Sequence, residues 1–212
     1  MRFSDRREAG QQLAKALSHL RDTKDVVVLG IPRGGVVVAY EVAAALDAPL
    51  DVYITRKIGA PFNPELAIGA VASDGTLVLD DDLIARTGAP ADYVQSETKR
   101  QEREIQRRIK AYRGTSPARQ LKDKTVILVD DGVATGATVL ASARAIQQQE
   151  PKQLIVAIPV GPADTIGELE KEADQVVCLH TPDVFWAVGA FYDIFDQTPD
   201  AEVISLLTRR RS

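Results

Sequence analysis

Val126-Ile127-Leu128-Val129-Asp130-Asp131-Gly132-Val133-Ala134-Thr135-Gly136-Ala137-Thr138 is the stretch that decides how this chain folds. Val126 to Val129 read as a strand buried on both faces, because no polar residue alternates with them. Two adjacent carboxylates, Asp130 and Asp131, close that strand. A loop of small and hydroxyl residues, Ala134 to Thr138, follows and runs into an alanine-rich helix expected to reach Gln149. A loop that opens a helix presents unpaired backbone N–H groups and the positive end of the helix dipole, which together bind a phosphate. Gly136 lets the backbone approach such a ligand, and the hydroxyls of Thr135 and Thr138 add donors. Each carboxylate ahead of the loop can accept hydrogen bonds from vicinal hydroxyls. Ribose with a terminal phosphate fits both halves.

On either side of this stretch, short apolar runs alternate with helical ones. Val26 to Leu29 is an apolar strand ending at Gly30, Gly35 to Leu46 reads as a helix, and Leu50 to Thr55 reads as the next strand. Leu154 and Val176 open two further strands, with a helix at about Asp164–Lys171 between them. This alternation predicts an α/β fold: a mostly parallel sheet flanked by helices. Asp5 to about Leu20 has the apolar spacing of a helix expected to pack across the sheet. Leu66 to Ala72 and Thr76 to Leu79, joined by Ser73-Asp74-Gly75, read as a β-hairpin. Asp81 to Arg113 is polar and helical in composition. Its second half, Glu97 to Arg113, carries five arginines, three glutamates and two lysines, and is expected to be a solvated helix with charge pairs three and four residues apart. A mobile lid, if the fold carries one, belongs in Ala60 to Ala91, where Gly and Pro are frequent.

The chain has 212 residues, 45% of them hydrophobic, which suits one domain over 1–212 with a full core. A formal charge of −4 argues against a general nucleic-acid or membrane-surface binder. The basic end Arg209-Arg210-Arg211 reads as solvated. The single cysteine, Cys178, excludes an internal disulfide and reads as a buried strand thiol. The charged start (Arg2, Asp5, Arg6, Arg7, Glu8) has no signal-peptide core, and no apolar run approaches a membrane span, so a cytoplasmic protein is expected. A Walker B reading of the apolar run and its two aspartates fails, because no G-x-x-x-x-G-K-[ST] occurs in the chain.

The run Val126 to Thr138 resembles the donor-binding motif of type I phosphoribosyltransferases: apolar strand, two acidic residues, two variable residues, then small-Thr-Gly-x-Thr. The resemblance implies a Rossmann-like core (about 22–180) with a small hood (about 181–195, with part of the N-terminus). It assigns Asp130 and Asp131 to the ribose hydroxyls and Ala134, Thr135, Gly136, Ala137 and Thr138 to the 5-phosphate. Gly30-Ile31-Pro32-Arg33-Gly34-Gly35, again a strand end leading into a helix, resembles the family's diphosphate loop, with Arg33 as a charged donor beside Gly34 and Gly35. Thr55-Arg56-Lys57-Ile58-Gly59 is similar to the Arg-Lys strand end of adenine and orotate phosphoribosyltransferases. Arg56 and Lys57 are transferred from it as donor-binding residues.

Pro182 to Asp193 holds the only tryptophan and four of the chain's eleven aromatic residues. It resembles the hood of hypoxanthine-type phosphoribosyltransferases, with Trp186 in the position that stacks on the base and Asp193 as the terminal acid. Read without the resemblance, Phe185, Trp186, Phe191 and Tyr192 are a hydrophobic cluster closing the core. The chain also departs from the 6-oxopurine enzymes. Ala134 stands where they carry an aspartate, and Pro159-Val160-Gly161-Pro162 where they carry a lysine, so the acceptor stays undetermined.

The resemblance therefore implies transfer of a phosphoribosyl group from phosphoribosyl diphosphate to a nitrogenous acceptor, with Asp130, Asp131 and Arg33 carrying the chemistry. Mg²⁺ is the implied cofactor, held by the donor's oxygens and water and not by a protein cage. Neither His19 nor His180 reads as a general base, and a homo-oligomer is compatible with the family. The alternative from another class is a regulatory module of the same fold that senses phosphoribosyl diphosphate or a nucleotide. The Arg33-Gly34-Gly35 loop favours the enzyme, since a monophosphate sensor does not need it. A nucleotide-binding protein of plain Rossmann type would need G-x-G-x-x-G after the first strand, which is missing.

Overall fold

The computed structural model describes residues 1–210, apart from the side chain of Glu65. Its elements in chain order are α1 (Arg6–Ala16), β1 (Val26–Gly30), α2 (Gly34–Leu46), β2 (Leu50–Val52), β3 (Thr55–Ala60), β4 (Asn63–Ala72), β5 (Leu77–Leu79), α3 (Asp81–Thr87), α4 (Ala91–Arg113), β6 (Thr125–Val129), α5 (Ala137–Gln147), β7 (Gln153–Val160), α6 (Ala163–Leu169), β8 (Gln175–His180) and α7 (Asp200–Arg209). Five strands form one sheet in the order β2-β1-β6-β7-β8, every neighbouring pair parallel.

The apolar runs face both ways, as parallel strands covered by helices must. Val26, Val28, Ile127, Val129, Ile155 and Ala157 pack with α1, α2, α4 and α7 on one side. Val27, Leu29, Val126, Leu128, Leu154 and Val156 pack with α5 and α6 on the other. From β1 the chain winds outward to β2, and from β6 it winds the opposite way to β7 and β8. The strand order thus reverses between β1 and β6, and a crevice opens at their carboxyl ends, the usual ligand position in such sheets. Their register pairs Gly30 with Val129, and Ile31 N donates to Val129 O at 2.9 Å. The loop after Gly30 and the acidic pair after Val129 consequently leave the sheet side by side.

Leu50 to Thr55 is not one strand. β2 stops at Val52, and Thr55 opens β3 in a separate antiparallel sheet, β3-β4-β5. Tyr53 and Ile54 carry the crossover. The Tyr53 hydroxyl donates to Asp74 Oδ2 at 2.6 Å and Ile54 N donates to Ser73 Oγ at 3.3 Å, so the β4–β5 turn captures the departing chain. The expected hairpin is present around Asp74, with β4 longer than its apolar run suggested and β3 added as a third strand. Asp81 to Arg113 is two helices, broken where Gly88 takes φ +64° ahead of Pro90.

α1 is capped by Asp5, which accepts from Arg7 N and Glu8 N, and it lies against α2 and the β7–β8 edge. α4 shows the expected surface pairs, Glu97–Arg100, Glu104–Arg107 and Glu104–Arg108. Its inner end also carries a buried pair: Arg113 Nη2 lies 3.0 Å from Asp51 Oδ2, with both side chains 7% exposed. The basic end is less free than expected, because Arg210 pairs with Asp47 at 2.9 Å and donates to Ala44 O. Arg211 lies outside the described residues. Cys178 is half-buried in β8. No helix among the described residues is long and apolar enough to cross a membrane.

Candidate functional site

Asp130 and Asp131 sit where β6 ends. Both are half-buried. Asp130 Oδ1 accepts from Asp131 N at 2.8 Å. Burial, and then the neighbouring Asp131 carboxylate, push Asp130 well above the usual carboxylate range, with the Arg6 charge opposing. Gly34 and Gly35, the first residues of α2, pack directly on this pair. A β-carbon at 35 would stand 2.8 Å from Asp130 Cα, and one at 34 would stand 2.0 Å from Asp131 Oδ2. The two loops read separately from sequence therefore form one surface.

Arg33 is half-buried at the N-cap position of α2, after a cis Pro32–Arg33 peptide bond. As the residue before α2, it stands on the sheet face that α2 covers with α4 and α7, where the Tyr112 hydroxyl donates to Asp200 Oδ1 at 2.7 Å.

Ala134, Thr135, Ala137 and Thr138 are exposed around the amino end of α5. Gly136, the residue before the helix, takes φ +70°, a left-handed conformation that glycine adopts freely. Thr165 of α6 donates to Ala134 O at 2.8 Å and fixes the outer side of the loop. The expected turn from a glycine into the amino end of a helix is present. Arg56 and Lys57 are in β3, which packs against both α4 and α5. Together with Thr55, Ala137, Thr138 and Gln101 they line a cleft of about 470 Å³. Arg56 Nε donates to Gln101 Oε1 at 2.7 Å. The larger concavity, about 740 Å³, opens at the opposite edge of the sheet around Leu50, Asp51 and Arg113, and contains none of these residues.

The segment after β8 folds back on the crevice and is stitched to the N-terminus. Phe3 N donates to Phe191 O and Asp193 N donates to Phe3 O, each at 2.8 Å. Phe185 stacks on Phe191 with centroids 5.4 Å apart, and His180 meets Phe191 edge-on. Trp186 does not join that cluster, and it is 86% exposed. Asp193 pairs with Arg2 at 2.6 Å on the surface. Phe62, at the β3–β4 turn within the stretch where a lid was expected, is 97% exposed.

The sequence marks Arg6 only as one residue of the charged start of the chain. Its Nε donates to Asp131 Oδ2 at 2.7 Å, its Nη1 donates to Asp196 O at 2.8 Å, and its guanidinium lies 3.9 Å from the Phe195 ring centre. Tyr192 donates its hydroxyl to Asp131 O at 2.6 Å. The only local signal was a basic residue just inside a helix start, a poor place for a cation beside the dipole. Its partner lies 125 residues away.

The model of the phosphoribosyl transferase domain family matches residues 3–194. Two proteins from Mycobacterium tuberculosis strains, each named "Putative phosphoribosyl transferase", are 45% identical over 207 residues, which is 98% of this chain and 46% of theirs. The chain spans about half the length of those curated relatives. The crystal structure of TT1426 from Thermus thermophilus is 43% identical, covers 100% of both chains and has a TM-score of 0.90. The AQ2163 protein from Aquifex aeolicus, 12% identical with a TM-score of 0.50 over 83% of this chain and 73% of its own, shares the fold.

Proposed function

The chain belongs to the phosphoribosyl transferase domain family, and from that membership we propose that it transfers the 5-phosphoribosyl group of phosphoribosyl diphosphate to a nitrogenous acceptor, releasing diphosphate. The observation that carries this reading is the contact of Gly34 and Gly35 with Asp131 and Asp130. It puts a loop suited to diphosphate against carboxylates suited to ribose, with the amino end of α5 open for the 5-phosphate.

In this reading the acceptor nitrogen forms a bond to C1 of the ribose while the C1–oxygen bond breaks and diphosphate leaves with the electron pair. Asp130 and Asp131 accept the ribose hydroxyls and favour positive charge developing on the ring. Backbone N–H groups at the start of α2, with Arg33, receive the diphosphate. Backbone N–H groups and hydroxyls of Ala134 to Thr138 hold the 5-phosphate. Arg56 and Lys57 add positive charge beside Thr138. A planar heterocycle stacks on Trp186, a hood residue whose ring is open to solvent.

Among the described residues, no three His, Cys, Asp or Glu side chains gather as a metal cage. The donor set fits a Mg²⁺ ion that arrives with the donor, held by diphosphate and ribose oxygens and water, where it would neutralise leaving-group charge. The test is diphosphate release from phosphoribosyl diphosphate and Mg²⁺ with a panel of bases and amines. Release with one acceptor class supports the reading. Tight donor binding with no release for any acceptor replaces the enzyme with a sensor.

A further inference from the structure

The acidic pair does not face the crevice alone, because an arginine from the start of α1 is built into it. Arg6 and Asp131 side chains are 12% and 16% exposed, so their 2.7 Å contact is shielded from solvent. The guanidinium is held on three sides: the Asp131 carboxylate, the Asp196 carbonyl and the face of Phe195. Phe195 in turn stacks on Tyr192 at 4.9 Å, and Tyr192 donates to the Asp131 carbonyl. Position 34 is tuned to the same contact, since a β-carbon there would stand 2.6 Å from Arg6 Nε. A guanidinium fixed by three separate partners is part of the site's frame and not a side chain passing over it.

We propose that Arg6 is a positioning residue for ribose recognition. It holds Asp131 by one oxygen, turns the other toward the crevice, and cancels one of two adjacent negative charges that would repel a phosphorylated ligand. This rests on the phosphoribosyl reading of the site and adds to it a residue outside the donor-binding motif. It also gives the hood a role in the ribose site, because Phe195 and Asp196 at its end are what hold Arg6 in place. The chemistry fits arginine better than lysine: a planar guanidinium can stack on Phe195 while donating in two directions within its plane, and an ammonium cannot.

The alternative use of the same contact is a cap, with Arg6 occupying the place of the ribose until a ligand displaces it. The two uses predict opposite signs. Calorimetry on wild type, Arg6→Gln and Arg6→Lys, with phosphoribosyl diphosphate, ribose 5-phosphate and inorganic phosphate as ligands, separates them. Losing one charge-assisted contact, Arg6→Gln should weaken both ribose ligands about tenfold or more. Inorganic phosphate, bound at the α5 loop, should be unaffected. Arg6→Lys should recover part of the loss, which a merely structural defect would not show. In an Asp131→Asn background, Arg6→Gln should have little further effect, because the group it positions is gone.

Unchanged ribose affinity in folded Arg6→Gln overturns the proposal, and increased affinity replaces it with the cap. If Arg6→Gln does not fold, Arg6→Lys carries the test: a severalfold loss confined to the ribose ligands supports positioning, and none refutes it. A wild type that binds neither ribose ligand overturns the phosphoribosyl reading and this inference together. A wild type that binds both, with a variant that binds equally well, removes the inference alone.

Discussion

Gly34 lies so close to Asp131 that a β-carbon at position 34 would stand 2.0 Å from the carboxylate oxygen Oδ2. The atoms it would meet belong to two side chains, Asp131 and Arg6, whose contact with each other a methyl group there would have to break. At position 35 the obstacle is backbone, Asp130 Cα and the Val129 carbonyl, which cannot swing aside. The neighbouring glycines therefore fail differently. Gly34→Ala should cost about 1–3 kcal/mol of stability, the range for inserting a methyl group into a packed site. It should abolish most of the affinity for phosphoribosyl diphosphate while the protein stays folded. Gly35→Ala should lower the melting temperature by more. Denaturation and calorimetry on both variants check this, and equal melting temperatures with normal ligand affinity for Gly34→Ala would contradict it.

Asp130 should weaken the fold it serves. Its carboxyl is held above the usual carboxylate range by burial and by Asp131. A carboxyl whose folded-state pKa is raised favours the folded state while it is protonated. That contribution is complete below the unfolded value of about 3.9 and is lost as pH rises through the folded value. Asp130→Asn, which retains the oxygen that accepts from Asp131 N, should therefore be more stable than wild type at neutral pH. The gain should shrink to nothing as pH falls to about 4. Urea unfolding of both proteins across that window measures it, and a variant less stable at neutral pH would refute the argument.

Trp186 is a cleaner probe of the acceptor than a buried aromatic would be. At 86% exposed it contributes little packing, so Trp186→Ala should change stability by less than about 0.5 kcal/mol. If it stacks on the acceptor, its removal should cost about 1–3 kcal/mol of acceptor affinity, a rise in Michaelis constant of tenfold or more, with donor affinity unmoved. Ala134 and the Pro159–Pro162 stretch add that hypoxanthine and guanine should be poor acceptors. Normal acceptor kinetics in Trp186→Ala would remove the stacking role, and efficient turnover of either base would refute the second statement.

The parts of this fold legible in the sequence were those whose physics is local. β1, β6 and β7 declared themselves because a strand covered on both faces needs an unbroken apolar run, and the half-buried edge strand β8 kept an apolar centre. The amino end of α5 declared itself because a glycine-bearing turn before a helix is written in consecutive residues. The break between β2 and β3 was hidden, since Val52, Tyr53 and Ile54 run across it without a polar side chain between them and the pull comes from Ser73 and Asp74. Arg6 was hidden for the same reason at longer range. Its meaning depends on Asp131, Phe195 and Asp196, which only the closed fold brings together. The aromatic segment was legible as a cluster, but its composition did not say that Phe185 and Phe191 would stack while Trp186 turned outward.

In the proposed reading the carboxyl ends of β1 and β6 bind phosphoribosyl diphosphate through Asp130 and Asp131. Calorimetric titration of wild type and of the Asp130→Asn, Asp131→Asn double variant with phosphoribosyl diphosphate and Mg²⁺ tests it most directly, with circular dichroism confirming that both are folded. Losing two charge-assisted hydrogen bonds should weaken binding by on the order of 3–6 kcal/mol, which would leave the double variant with no measurable heat at micromolar protein. A folded double variant that binds with wild-type affinity would contradict the account.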